Sequence, residues 1–164
     1  IDILVDSLQV GAHGFPADDV ELVVAGDGPM MRWLRRRLRA LPGVRVRVLG
    51  RVGREDVALW MNAADVLVLP SRNEGCPNAV LEALCCGTPV VAAAVGAVPD
   101  LIDERSGIIC RPEDPADLAA AIGRALGSVW DRLAIRSRME GKSWQANARA
   151  LYEVLQSVVA AARG

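Results

Sequence analysis

The feature that most constrains this 164-residue chain is an alternation of short apolar runs, at 20–26, 44–50, 65–71, 89–95 and 107–112, with amphipathic stretches of helical period. The helical patterns fall at 2–12, 29–41, 54–63, 77–86 and 98–103. Apolar run, amphipathic helix, apolar run is the grammar of right-handed βαβ units, so the expected fold is α/β: a doubly wound parallel sheet with helices on both faces. After residue 112 only helical patterns remain, at 115–126 and 144–162, and these are expected to pack on the outside. Between them, 127–143 reads as a linker whose helical pattern is interrupted around Trp130. A chain of 164 residues supports one compact domain with a sizeable core and is short for two.

One run differs from the others. In "VRVRV" strict alternation puts Arg45 and Arg47 on one face, the mark of an edge strand guarded by charge. The chain also opens directly on a helix pattern, whereas a doubly wound sheet ordinarily begins with its central strand. A first strand upstream of Ile1 is therefore expected to be missing from this chain, leaving 20–26 and 65–71 to flank an unfilled lane.

Composition removes several classes of function. Apolar residues make up 52% of the chain, yet no run approaches the roughly 18 to 20 residues of a membrane span. "IDILVDSLQV" carries two Asp, no basic leader and no small-residue cleavage site, so a cytoplasmic location is expected. A net charge of −1 gives no reason to invoke nucleic acid. The local exception, "RWLRRRLR", places Leu34, Leu38 and Leu41 on one helix face and its arginines on the other, which reads as a solvated face rather than an anion patch. Cys76, Cys85, Cys86 and Cys110 have no metal-ligand spacing and His13 is remote from them, so no metal is expected and the cysteines are read as small buried hydrophobes.

The chemistry concentrates in "NEGCPNAVLEALCCGTPVV". Pro77 suits a first helical position and Gly87 with Pro89 a helix stop, giving an expected helix at 77–86 with Cys76 as its cap. A cysteine cap offers no oxygen to the free amides of Asn78, Ala79 and Val80, which leaves them for an anion, phosphate being the commonest. Because this helix follows a strand, its N-terminus lies at the carboxyl edge of the sheet, where open α/β sheets bind ligands. Glu82, four residues after Asn78, shares the face rising from that site, and two hydroxyls of a ribose would satisfy a carboxylate set among apolar neighbours. Glu74, in the loop before the helix, would face the other side of the anion. Each acid also has a plainer reading: Glu82 as an exposed or ion-paired helix residue, Glu74 as a loop acid assisting the helix dipole.

The segment from Glu74 to Glu82 resembles the E-x7-E segment of retaining, nucleotide-sugar-dependent glycosyltransferases of the GT-B architecture, built from two Rossmann-like domains. "VELVVAGDGP", "VRVLGRVGREDVALWMNAADVLVLPS", "VGAVPDLIDERSGIICRPEDPADLAAAI" and "KSWQANARALYEVL" resemble the carboxyl-terminal, donor-binding domain of that family, in its order. The resemblance implies that Glu82 binds the ribose hydroxyls and that Glu74 is the catalytic position, contacting hydroxyls of the donor sugar. It implies that Asn78 and Ala79 hold phosphate through backbone amides beside Gly75 and Cys76, that Val52 reads the base through its main chain, and that Gly26 lines the cleft. Cys76 and Pro77 depart from the Phe and Gly frequent in the family, and Pro77 has no N–H to give. The family's diphosphate-gripping Arg and Lys, and its acceptor-binding domain, lie upstream of the helix that opens this chain. The implied partners are a UDP- or GDP-linked sugar and a glycan or lipid-linked acceptor bound by the missing domain, which could also touch a membrane. No cofactor is implied.

Rivals are separable on the same residues. For a dinucleotide-dependent oxidoreductase "GDGP" is a start, but Met31 stands at the third glycine and the next strand ends without its ribose-binding acid. A nucleotide-sugar epimerase of the same architecture would need an acid or base partner that this sequence does not show. A nucleotide-sugar binding module without chemistry remains the alternative from another class, since no nucleophile-and-base constellation is visible.

Overall fold

The computed structural model describes residues 1–10, 20–39, 44–142 and 144–161, without the side chains of Trp144 and Asn147. The elements run α1 (Asp2–Val10), β1 (Glu21–Ala25), α2 (Met31–Leu38), β2 (Arg45–Gly50), α3 (Arg54–Ala63), β3 (Leu67–Leu69), α4 (Asn78–Cys85), β4 (Val90–Ala93), α5 (Val98–Leu101), β5 (Gly107–Cys110), α6 (Pro115–Leu126), α7 (Arg132–Ser137) and α8 (Trp144–Ala161). The expected helix ends at Ala12, Leu41 and Ala162, and His13, lie outside the described residues.

All strand pairings are parallel, as the alternation requires, but among the described residues they form two sheets, β1–β2 and β3–β4–β5. Among the described residues β1 and β3 each pair on one side only. β2 lies at an edge, and there Arg47 binds Glu21 on β1 at 2.9 Å and stacks over Trp60, 5.5 Å from the ring centre.

The core is organised by β4, the middle strand of the larger sheet, whose four residues are all buried. Because side chains alternate along a strand, Val91 and Ala93 enter one apolar cluster and Val90 and Ala92 the other. The first cluster is filled by α1, through Ile3, Leu4, Val5 and Leu8, and by α6, through Leu118, Ala121, Ile122 and Ala125. Those α6 positions recur at helical spacing, and the helix starts where Asp114 Oδ1 accepts the Asp117 amide at 2.9 Å, with Pro115 next to it. The second cluster takes Val80, Ala83 and Leu84 of α4, Val98 of α5 and Ile135 of α7. Helices thus cover both faces of the β3–β4–β5 sheet.

α7 occupies part of the span read as a linker. Asp131 caps it, Oδ1 accepting the Ala134 amide at 2.9 Å, while only Ile135 is buried, so six residues with one core position gave no visible period. Its first residue matters most. Arg132 donates to the carbonyls of Ala64 and Asn62 at the end of α3, at 2.9 and 2.7 Å, and to Thr88 Oγ1 at 2.9 Å. The side chains described in α8 are all exposed, among them Leu151, Leu155 and Val158. No described helix is long and apolar enough to cross a membrane.

Two readings of residue environment change. Cys110 is buried and Cys86 partly so, but Cys76 and Cys85 are exposed, because one sits in the loop before α4 and the other on its outer face. On α2, Leu34 and Leu38 are buried and Arg32, Arg35 and Arg36 are solvated as expected, but Arg37 is partly buried and turns to α1, pairing with Asp6 at 3.5 Å and donating to Gln9 Oε1 at 3.3 Å.

Candidate functional site

The site begins where β3 ends. Between Leu69 and Asn78 the chain crosses the carboxyl edge of the β3–β4–β5 sheet as a loop and enters α4. α4 starts one residue later than expected: Pro77 is its cap, in extended backbone with φ −73° and ψ 112°, and it gives no side-chain bond to the helix. The Pro77 carbonyl accepts the Val80 amide at 3.1 Å, so Val80 is not among the free donors. Among the described residues the amides of Asn78 and Ala79 meet no acceptor and remain at the positive end of the helix dipole.

Burial of Val80, Ala83 and Leu84 fixes the rotation of α4, Val80 and Leu84 each contributing about 1.5–3 kcal/mol. Asn78, Glu82 and Cys85 are thereby turned outward. Glu82 is exposed and has no ion-pair or hydrogen-bond partner among the described residues. Its apolar neighbours pack inward on the opposite face, and the carboxylate stands free one turn above Asn78, on the face that rises from the start of the helix.

Glu74 is half-buried, and Ser71 Oγ donates to its Oε1 at 2.7 Å. Its loop is tied down on two sides. Arg72 donates to both oxygens of Asp2 at the start of α1, at 3.0 and 2.6 Å, and from Nε to Glu113 at 2.5 Å. Glu113 is itself in the left-handed region, φ 55°, unusual for a residue other than glycine. The Arg72 hydrogen bond holds the Asp2 carboxyl well below the usual carboxylate range. On the other side, the β4–α5 turn comes against the loop, the Ala97 amide donating to the Gly75 carbonyl at 2.9 Å.

The structure therefore brings Glu74, Gly75, Cys76, Asn78 and Ala79 together, with Glu82 one turn along. Gly26 and Val52 lie at the carboxyl ends of the other sheet: Gly26 follows β1 with φ 138° and donates to the Gly50 carbonyl at 2.7 Å, and half-buried Val52 follows β2. Two cavities, of about 670 and 330 Å³, open instead near residues at or just before strand starts, such as Gly107, Val20 and Asp65, and include neither acid. Among the described residues no group of three or more His, Cys, Asp or Glu is placed to hold a metal ion. Sequence reasoning missed Ser71, Arg72 and Gly96. Ser71, three residues before an acid, carried a local signal; Arg72 carried none.

Comparison with known proteins bears on the same segment. The chain is 36% identical over 156 residues to a D-inositol 3-phosphate glycosyltransferase of Salinispora tropica, covering 88% of this chain and 32% of that protein. It is 35% identical over 163 residues to the same-named protein of Xylanimonas cellulosilytica, covering 93% and 38%. The chain thus spans about a third of the length of the curated relatives it matches. Among solved structures it is similar to sucrose-phosphate synthase from Thermosynechococcus elongatus, with a TM-score of 0.69 at 28% identity, covering 96% of this chain and 43% of that one. It is also similar to Anabaena HepE in complex with UDP and glucose, with a TM-score of 0.72 at 25% identity, covering 95% and 44%. The family model described as glycosyl transferases group 1 matches residues 1–128, which contain every candidate residue above, and this chain belongs to that family.

Proposed function

We propose that this chain is the donor-binding domain of a retaining glycosyltransferase that takes a hexosyl unit from a nucleoside diphosphate sugar and gives it to a glycan or lipid-linked acceptor. The carrying observation is the arrangement about the start of α4: two free amides at Asn78 and Ala79, a free outward carboxylate one turn on at Glu82, and a second carboxylate at Glu74 held by Ser71. Two amides on a helix N-terminus suit a diphosphate. In this reading Glu82 serves the ribose and Glu74 the sugar, so that the three parts of a nucleotide sugar meet three kinds of group.

In the reaction the C1–O bond to the diphosphate breaks and its electron pair leaves on the nucleoside diphosphate, while the acceptor hydroxyl forms the new C1–O bond with the same anomeric configuration and gives its proton to a phosphate oxygen of the departing nucleoside diphosphate. The α4 amides stabilise the charge that develops on the departing diphosphate. Glu74 orients the sugar by accepting from its hydroxyls. Further cations and the acceptor contacts come from the part of a relative-length protein that this chain does not span. The complex of HepE with UDP and glucose supports a nucleotide-sugar donor.

Titration of UDP, GDP and their hexose conjugates against the parent chain and the Glu74→Ala and Glu82→Ala variants tests the proposal. If neither variant changes the binding of nucleotide or nucleotide sugar, the two acids are not the donor site.

A further inference from the structure

The Glu74 loop has no regular structure of its own, so its position comes from what it rests on. Gly96, in the turn between β4 and α5, lies directly beneath it. Gly96 has φ +53°, and a Cβ built on it would stand 2.1 Å from the Glu74 carbonyl oxygen and 2.7 Å from that of Gly75. The next residue completes the contact, the Ala97 amide donating to the Gly75 carbonyl at 2.9 Å. The turn is itself firmly placed, following the fully buried strand β4 and leading into buried Val98.

We propose that Gly96 is a positioning residue of the donor site, its bare Cα forming the seat that sets the Glu74–Gly75 peptide and so aims the Glu74 carboxylate. This rests on the reading of Glu74 as the sugar-contacting acid. A Cβ at position 96 would stand 2.1 Å from the Glu74 carbonyl oxygen, well inside the 3.0 Å that such contacts keep, so the contact between the turn and the Glu74–Gly75 peptide must open. A displacement of about 1 Å at an orienting group is enough to cost on the order of a hundredfold. The Asn78 and Ala79 amides are held independently by the buried face of α4, so the diphosphate contacts stay. Gly96 thus acts on the sugar end of the donor alone.

The test titrates UDP with UDP-glucose, and GDP with GDP-mannose, against the parent and the Gly96→Ala, Gly96→Asn, Glu74→Ala and Gly96→Ala/Glu74→Ala variants. Asn tolerates a left-handed backbone but still carries a Cβ, so it separates torsional strain from the seat contact. Both single Gly96 variants are expected to lose the preference for nucleotide sugar over bare nucleotide by about tenfold or more, with nucleoside diphosphate affinity kept within about threefold. The double variant should be no worse than Glu74→Ala, the non-additivity of residues acting through one another. If Gly96→Ala does not fold, Ala97→Pro, which removes the amide bonded to Gly75, should give the same split. Restoration of the sugar preference by Gly96→Asn, full additivity with Glu74→Ala, or an equal loss of nucleotide and nucleotide sugar would each overturn the seat. If Glu74→Ala keeps the sugar preference, or the parent binds neither pair, the donor-site reading falls first and the seat with it.

Discussion

Arg72 and Asp2, seventy positions apart in sequence, form a two-pronged ion pair with distances of 3.0 and 2.6 Å that ties the start of α1 to the loop carrying Glu74. The Asp2 carboxyl is lowered from its ordinary value of 3.8, chiefly by the Arg72 hydrogen bond and against the effect of burial. A folded-state value below the unfolded one means that the pair contributes fully above pH 3.8 and is lost as the pH falls through the folded value. Asp2→Asn should therefore lower the melting temperature at pH 7, by no more than about 3 °C because the pair is partly exposed. The gap between parent and variant should close progressively below pH 3.8. Thermal melts at pH 7 and in strong acid check both statements, and a gap that widens in acid would reverse the sign.

Glu82 and Glu74 should fail in different ways. Charge-assisted hydrogen bonds to two ribose hydroxyls are worth roughly 1.5 to 3 kcal/mol each before water compensates. Glu82→Ala is therefore expected to weaken plain nucleoside diphosphate binding by at least about tenfold. Glu74→Ala should leave that affinity within about threefold while erasing preference for the nucleotide sugar. Calorimetry or amide-shift titration reads both, and unchanged nucleotide binding in Glu82→Ala would reduce Glu82 to an ordinary solvated helix acid.

Thiol labelling should sort the four cysteines by environment. Burial, with a further push from the Asp117 carboxylate, raises the Cys110 thiol to about 11, and burial raises that of Cys86, so both are short of thiolate at neutral pH. Cys76 and Cys85 are exposed. Mass spectrometry after brief iodoacetamide treatment of the native protein is expected to find Cys76 and Cys85 modified and Cys110 intact. A bound nucleotide sugar should slow labelling of Cys76 several-fold, since Cys76 adjoins the free amides at the start of α4.

Gly87 should be the least replaceable residue of the α4 stop. Its φ is +72° and a Cβ there would lie 2.4 Å from the Arg132 carbonyl oxygen. Gly87→Ala combines a left-handed backbone with a collision against α7, and should cost about 2 kcal/mol or more in chemical denaturation. Arg132→Ala should also destabilise, by exposing three acceptors that its guanidinium now satisfies. A neutral Gly87→Ala would mean that α7 moves aside at no cost.

What the sequence determined by itself was whatever local periodicity encodes. Short apolar runs and stretches of period 3.6 gave the parallel strands, the helices around them and α3 to the residue. The eight-position spacing of Glu74 and Glu82, with a helix start between them, placed both acids about one helix N-terminus, because burying Val80, Ala83 and Leu84 leaves Glu82 one way to face. α7 escaped because one buried residue in six makes no period. The cap moved from Cys76 to Pro77, and the Val80 amide was claimed, through a carbonyl whose direction depends on how the loop arrives. Only the tertiary structure decided what holds that loop. Arg72 reaches Asp2 across 70 positions, and Gly96 meets Glu74 across a turn of another βα unit. Such contacts are set by which strands lie side by side, and the spacing of residues along a single element carries no record of that choice.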